Sequence, residues 1–132
     1  MLKILWGKLP ELAPIALFVY NRIDHVQRTL DSLSQNLLAD KSDLYIFSDN
    51  AKSSDDIVSV NKVRNFCSNL KTFKSITIVN RDQNFGLAKN IVTGVTQVLE
   101  NYKNIIVLED DLLTDKFFLK YMNEALNLFE NN

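Results

Sequence analysis

The residues best equipped for chemistry are three adjacent carboxylates, Glu109, Asp110 and Asp111. Side by side they repel one another, and partial burial raises their pKa values unless a cation sits among them. Carboxylate oxygens suit hard ions such as Mg²⁺ or Mn²⁺, which keep coordination positions open for phosphate oxygens. The opposing reading makes Asp110 and Asp111 solvated turn residues, and spacing by itself does not choose. Arg22 carries the planar fork that pairs with phosphate oxygens, although an arginine beside a helix start is also an ordinary surface residue. Asp49 can cap the following loop or accept hydrogen bonds from a nucleoside. Lys89, one turn inside a helix, can reach a phosphate or simply face solvent. His25 reads as an exposed first-turn residue, and Cys67 as core.

The elements that must position these groups are legible in the hydropathy pattern. Ile15–Tyr20, Asp43–Ser48, Ser75–Val79 and Ile105–Leu108 are short apolar runs of strand type. Between the first two, Asp24 and Gln27 have capping-box spacing, and Val26, Leu30, Leu33 and Leu37 share one helical face. A second helix starts near Ser53 or Ser54, with Asp55 and Asp56 at the positive end of its dipole. Its inner face is Ile57, Val60, Val63, Cys67 and Leu70. A third helix enters through Gly86 and is buried along Leu87, Ile91, Val95 and Val98, with Gly94 on that face to permit close approach to the sheet. Asp115 to Glu130 forms the last helix.

This alternation predicts an α/β fold, an open, mostly parallel Rossmann-like sheet with flanking helices and right-handed crossovers. Such sheets bind ligands outside the carboxyl ends of their strands. The four expected ends carry Asn21-Arg22, Asp49-Asn50, Arg81-Asp82 and Glu109-Asp110-Asp111. That convergence favours a metal–diphosphate site over scattered surface charge.

Composition sets outer bounds. A chain of 132 residues supports one domain with a real core and is too short for two. Its 15 basic and 16 acidic residues leave a net charge of −1, so nucleic-acid binding through bulk charge is not expected. Cys67 is the sole cysteine and cannot close an internal disulfide, which suits a reducing compartment. No apolar run is long enough for a transmembrane segment, and residues 1–13 lack a signal-peptide pattern. The expected location is cytoplasmic, with peripheral attachment to a membrane as its variant. The last helix is too apolar for an outer layer: Phe117, Phe118, Leu119, Tyr121, Met122, Ala125, Leu126, Leu128 and Phe129 cover more than half its circumference. Something is expected to cover the excess, either a further half of the protein or a second chain through self-association.

From Ala13 to Phe129 the sequence resembles the nucleotide-binding half of GT-A glycosyltransferases, especially the N-acetylglucosaminyltransferase I-like group. The landmarks, in order, are Tyr20-Asn21-Arg22, Phe47-Ser48-Asp49, Asn84-Phe85-Gly86-Leu87-Ala88-Lys89-Asn90 and Val107-Leu108-Glu109-Asp110-Asp111. The last resembles a Glu-Asp-Asp form of the DXD motif, and Asp115-Lys116-Phe117-Phe118 the helix start that follows it. Gly86 to Asn90 is also similar to the Gly-x-x-x-Arg-Asn pattern of family 2 transferases, with Lys89 in the arginine's place. The resemblance implies that Asp111, supported by Glu109, binds Mn²⁺ or Mg²⁺ bridging the phosphates of a UDP-sugar. It implies that Asp110 faces the sugar or ribose, that Asp49 bonds uracil N3–H, and that Arg22 touches diphosphate or base. Tyr20 and Lys89 fall within the same nucleotide-sugar site.

The intact protein would then be a hexosyltransferase moving a sugar from a nucleotide-sugar donor to a saccharide or other hydroxyl acceptor. Residues 1–132 would be one donor-side domain, truncated at the C-terminal acceptor side. The general base would lie outside it, and the isolated chain would be inactive. A sugar nucleotidyltransferase would place a Gly-rich loop after the first strand, where Tyr20-Asn21-Arg22 has no glycine. A receiver-like domain would place its acidic pair there too. A non-catalytic nucleotide-binding module remains open.

Overall fold

The computed structural model describes residues 11–130. The expectation about a leader segment therefore falls mostly outside the described residues. Strands β1 (Ile15–Val19), β2 (Asp43–Ser48), β3 (Ser75–Asn80) and β4 (Ile106–Glu109) alternate with helices α1 (Ile23–Ser34), α2 (Ile57–Ser68), α3 (Leu87–Leu99) and α4 (Phe118–Glu130). The sheet runs β3-β2-β1-β4. Every neighbouring pair is parallel, so the sheet is wholly rather than mostly parallel among the described residues.

Helices on both faces explain why the central strand β1 is apolar and buried at all five positions. Ile15, Leu17 and Val19 point to one face, where Val26, Leu30 and Leu33 of α1, Val63 and Cys67 of α2, and Leu119 of α4 pack. Ala16 and Phe18 point to the other, against Phe47, Val98 and α3. A Cβ on Gly94 would stand 2.6 Å and 2.8 Å from Phe18 ring atoms and 3.1 Å from Phe47, so only glycine lets α3 lie this close. Registers Val19↔Ser48, Ser48↔Asn80 and Phe18↔Glu109 bring the four strand ends almost level. Whatever follows each strand emerges at the same edge.

Four local expectations are corrected. Arg22 occupies the N-cap of α1 with no side-chain cap, and Asp24 lies inside the first turn, so the Asp24/Gln27 capping box does not form. α1 stops at Ser34, and Leu37, in the turn beyond it, is 47% exposed. Ser54–Asp56 is a 3-10 turn ahead of α2, which sets Ile57 at the helix's protruding start, 48% exposed. Leu87 is likewise exposed, at the first residue of α3, and lines the cleft described below.

α4 begins at Phe118, because Asp115 turns the chain first: its carboxylate accepts the Phe117 N–H at 2.9 Å and its carbonyl the Phe118 N–H at 2.9 Å. Leu119 and Asn123 face inward, while Phe117, Tyr121, Leu128 and Phe129 are exposed. No described helix is long and apolar enough to cross a membrane.

Candidate nucleotide-binding cleft

A cleft of about 340 Å³ opens at the carboxyl edge of the sheet. Tyr20, Asn21 and Arg22 reach it from β1, Asp49 and Lys52 from β2, Asn84 and Gly86 from the loop before α3, and Glu109 and Asp110 from β4. Phe18, Val19 and Leu87 give it apolar wall. The topology thus delivers cations, acids and an apolar surface to one depression, as expected for an open parallel sheet.

The acidic run is divided. Asp110, its side chain 9% exposed, accepts a bond at 2.9 Å from Arg22 Nη2, while Arg22 is 52% exposed on the rim. Glu109 lines the main cleft. Asp111 instead faces a smaller recess beside His25, Arg28 and Thr29, and Asp110 borders both spaces. Among the described residues, no three His, Cys, Asp or Glu side chains form a ready cage for a metal ion. One or two carboxylates completed by phosphate oxygens and water are a normal setting for Mg²⁺-like ions. Asp110, already paired with a guanidinium, and Glu109 beside it offer carboxylate oxygens, the donor type such ions take.

The run and the stretch after it are laced to α1 and the turn that follows it. Thr29 Oγ1 donates to the Asp110 carbonyl at 2.8 Å. Thr114 N–H donates to Ser32 Oγ at 3.2 Å, and the Asn36 amide donates to Thr114 Oγ1 at 3.0 Å. Asn36 Oδ1 accepts the Leu119 N–H at 2.9 Å.

Asp49 is 4% exposed, and its carboxylate is heavily engaged. Oδ1 accepts from the Asn50 and Phe85 N–H groups at 2.9 and 2.8 Å. Oδ2 accepts from the Gly86 N–H at 3.0 Å and the Asn84 amide at 3.3 Å. Four donors match a carboxylate's usual capacity. Gly86, at φ +79°, supplies the positive-φ turn that aims these amides before α3 begins.

Tyr20 and Asn21 hold the β2–α2 loop. Tyr20 Oη donates to Asp56 Oδ2 at 2.7 Å and accepts the Lys52 N–H at 3.0 Å, while the Asn21 amide donates to Asp56 Oδ1 at 3.2 Å. Burial, then the bond to Asp56, raises the Tyr20 pKa. Lys89 does not line the cleft; its ammonium lies 4.4 Å over the Phe85 ring.

Three cations carry parts that sequence reading did not assign. Lys52 lines the cleft, carried there by the loop that Tyr20 fixes. Arg64 donates to Ser48 Oγ at 3.1 Å and to the carbonyls of Ser48, Asp49 and Arg81 at 3.3, 3.3 and 3.0 Å, gathering the ends of β2 and β3. Arg81 bonds Asn90 at 2.9 Å and Thr93 at 3.1 Å, its guanidinium stacked between Phe47 and Phe85. Burial lowers the pKa of both arginines, with the Asp49 charge acting the other way. Arg81 had a signal, its place after a strand. Arg64 had none, since an arginine amid the polar residues of α2 looks solvated.

Residues 15–128 match the sequence profile of glycosyl transferase family 2. The chain belongs to that family. No curated protein sequence matches it. Solved structures similar to this family 2 domain include S. aureus TarS, at 15% identity and TM-score 0.56, matched over 89% of this chain and 20% of that one. TarS residues 1–349 match at 11% identity and TM-score 0.55, over 89% and 32%. The mannosyltransferase PcManGT from Pyrobaculum calidifontis, in complex with GDP-Man and Mn²⁺, matches at 16% identity and TM-score 0.56, over 92% and 36%. At these identities the likeness establishes the fold, the GT-A arrangement. The family 2 domain spans about a third or less of each of those chains.

Proposed function

We propose that this family 2 domain binds a nucleotide-sugar in the cleft at its strand ends, and that the intact protein transfers the sugar to a hydroxyl acceptor. The observation that carries the reading is the pairing of rim-exposed Arg22 with enclosed Asp110, where the ends of β1, β2 and β4 meet the loop before α3. Arg22 and Lys52 bind the phosphates, and the apolar wall takes the nucleoside. Asp110 with Glu109 or Asp111 would hold Mn²⁺ or Mg²⁺. A divalent ion there would stabilise the negative charge that grows on a departing diphosphate.

Asp49 holds the Asn84–Gly86 wall in place, Tyr20 fixes the loop bearing Lys52, and Lys89 stacks outside the cleft. UDP as the nucleotide, hexosyl transfer and the likeness to the N-acetylglucosaminyltransferase I-like group rest on the landmark motifs; a divalent ion is also in keeping with the Mn²⁺ complex of the mannosyltransferase. The acceptor site and general base are assigned to sequence outside residues 1–132, leaving this a donor-side domain that does not transfer sugar alone. The exposed face of α4 is where a further part of the protein, or a second copy, would pack.

Titration calorimetry with UDP, with and without Mn²⁺, tests the reading on wild type and Asp110→Ala. The expected result is Mn²⁺-dependent binding weakened about tenfold or more in the variant, or at least ~1.4 kcal/mol. GDP in place of UDP reads base preference. Absence of nucleotide binding under every metal condition would leave the fold without its donor role. Nucleotide binding that ignores both Mn²⁺ and Asp110 would favour a non-catalytic module.

A further inference from the structure

We propose that Arg22 is an internal counter-ion that competes with a divalent cation for Asp110, and that donor binding moves the guanidinium from this carboxylate onto the phosphates. The proposal rests on the nucleotide-sugar reading above, and concerns what Arg22 does before the donor arrives.

The argument begins with burial. A carboxylate as enclosed as that of Asp110, 9% exposed, is costly to leave uncompensated. Arg22 compensates it through one bond, from Nη2 to Oδ1 at 2.9 Å, rather than through a two-pronged fork. The rest of the guanidinium stays at the rim, with Arg22 52% exposed. A single contact from a half-exposed arginine is a weak restraint, so the pairing is readily exchanged.

The two partners are anchored unequally. The Asp110 backbone is tied to α1 through Thr29 Oγ1 at 2.8 Å, so the carboxylate stays when its partner leaves. Beyond its bond to Asp110, Arg22 is fixed at its backbone, whose carbonyl accepts the Val26 N–H at 3.0 Å, leaving the side chain to rotate once that bond is released. Asp110 is also the one acid of the run that borders both the main cleft and the recess of Asp111. A guanidinium and a divalent ion on the same enclosed carboxylate repel each other. Whichever binds, the other is driven off, and a diphosphate in the cleft gives the displaced guanidinium an anion to meet.

Removing the Arg22 charge therefore acts with opposite signs on the two ligands. Cation binding strengthens and nucleotide binding weakens. An arginine that stood away from Asp110, or only supported the fold, would not strengthen cation binding when removed.

Mn²⁺ binding in the absence of nucleotide, read by electron paramagnetic resonance of the free ion, provides the test. UDP titrations in saturating Mn²⁺ accompany it on wild type, Arg22→Met and Arg22→Lys. Arg22→Met should bind Mn²⁺ roughly tenfold more tightly, the order expected when one like charge leaves a partly screened site. The same variant should bind UDP less tightly, and Arg22→Lys, which keeps the charge, should stay near wild type for Mn²⁺. Unchanged or weaker Mn²⁺ binding by Arg22→Met overturns the proposal, and the donor reading survives if wild type still binds UDP with Mn²⁺. Equal strengthening in Arg22→Lys also overturns it, since sterics and not charge would then be responsible. Failure of every variant to bind Mn²⁺, with UDP or without, sinks both.

Discussion

Replacing Asp49 by alanine removes the acceptor shared by three backbone N–H groups and one amide at the point where the loop before α3 crosses the end of β2. A buried donor deprived of its acceptor costs about 1–3 kcal/mol. Asn50, Asn84, Phe85 and Gly86 are each only partly buried, so water from the cleft can reach some of these donors. The lower end of the range therefore applies, and the expected loss is about 3–5 kcal/mol. For a domain stabilised by roughly 5–15 kcal/mol that is a severe lesion.

Asp49→Asn keeps the shape and one acceptor oxygen but turns an NH₂ toward incoming donors, so its loss should fall in between, about 2 kcal/mol. Urea denaturation without nucleotide reads both values as shifts in midpoint at unchanged slope. The absence of nucleotide matters, because it isolates what Asp49 does for the fold from anything it does for a base. A loss of ~0.5 kcal/mol or less for Asp49→Ala would refute the structural assignment, since that is the ordinary scatter of surface substitutions.

Two other sites give independent checks. Gly94→Ala places a methyl carbon 2.6 Å from the Phe18 ring inside the α3-side core; overpacking of about 1–3 kcal/mol outweighs a helix-propensity gain of up to ~1 kcal/mol. Its thermal midpoint should fall by several degrees, and a midpoint at or above wild type would contradict the close approach. At Cys67, burial pushes the thiol up to about 11. The folded form therefore keeps its proton where the unfolded thiol, near ~8.5, has lost it. Stability from this group is complete below that unfolded value and declines as pH rises toward the folded one. Cys67→Ala should flatten the alkaline fall in denaturation midpoint, and an unchanged slope counts against the assignment.

Much of the fold was legible because periodicity reports burial directly. The runs at Ile15 and Asp43 needed both faces covered, those at Ser75 and Ile105 form the edges with alternate residues exposed, and a parallel sheet follows from their alternation with helices. Gly94 was legible for the same reason: a glycine on an apolar helical face has little use except close approach. The errors lie where elements end. Leu37 and Ile57 extend a helical pattern beyond the stretch the sheet supports, and Asp24 has cap spacing but falls inside the helix's first turn.

At the site, Arg22, Asp49, Glu109 and Asp110 were legible as neighbours, whereas Lys89, Arg81 and Asp111 lie outside the main cleft, and no bonding partner was legible. Asp49 emerges from β2 as expected, yet three of its four donors come from a loop 35 to 37 residues away along the chain. Lys52 reaches the cleft because Tyr20 and Asp56 fold its loop inward, and Arg64 turns from α2 toward the carbonyls ending two strands. None of these pairings has a local signature, because each depends on strand register.

The bonds joining α1 and the turn after it to the stretch from Asp110 to Leu119 also bear on how the protein breathes. Because Thr29, Ser32 and Asn36 each grip that stretch, neither side can detach while the other stays native. The first helix and the acidic segment should therefore open as one cooperative unit in hydrogen exchange. Substitutions buried on α1, far from any ligand, would then be felt first as faster exchange of amides just after Asp110.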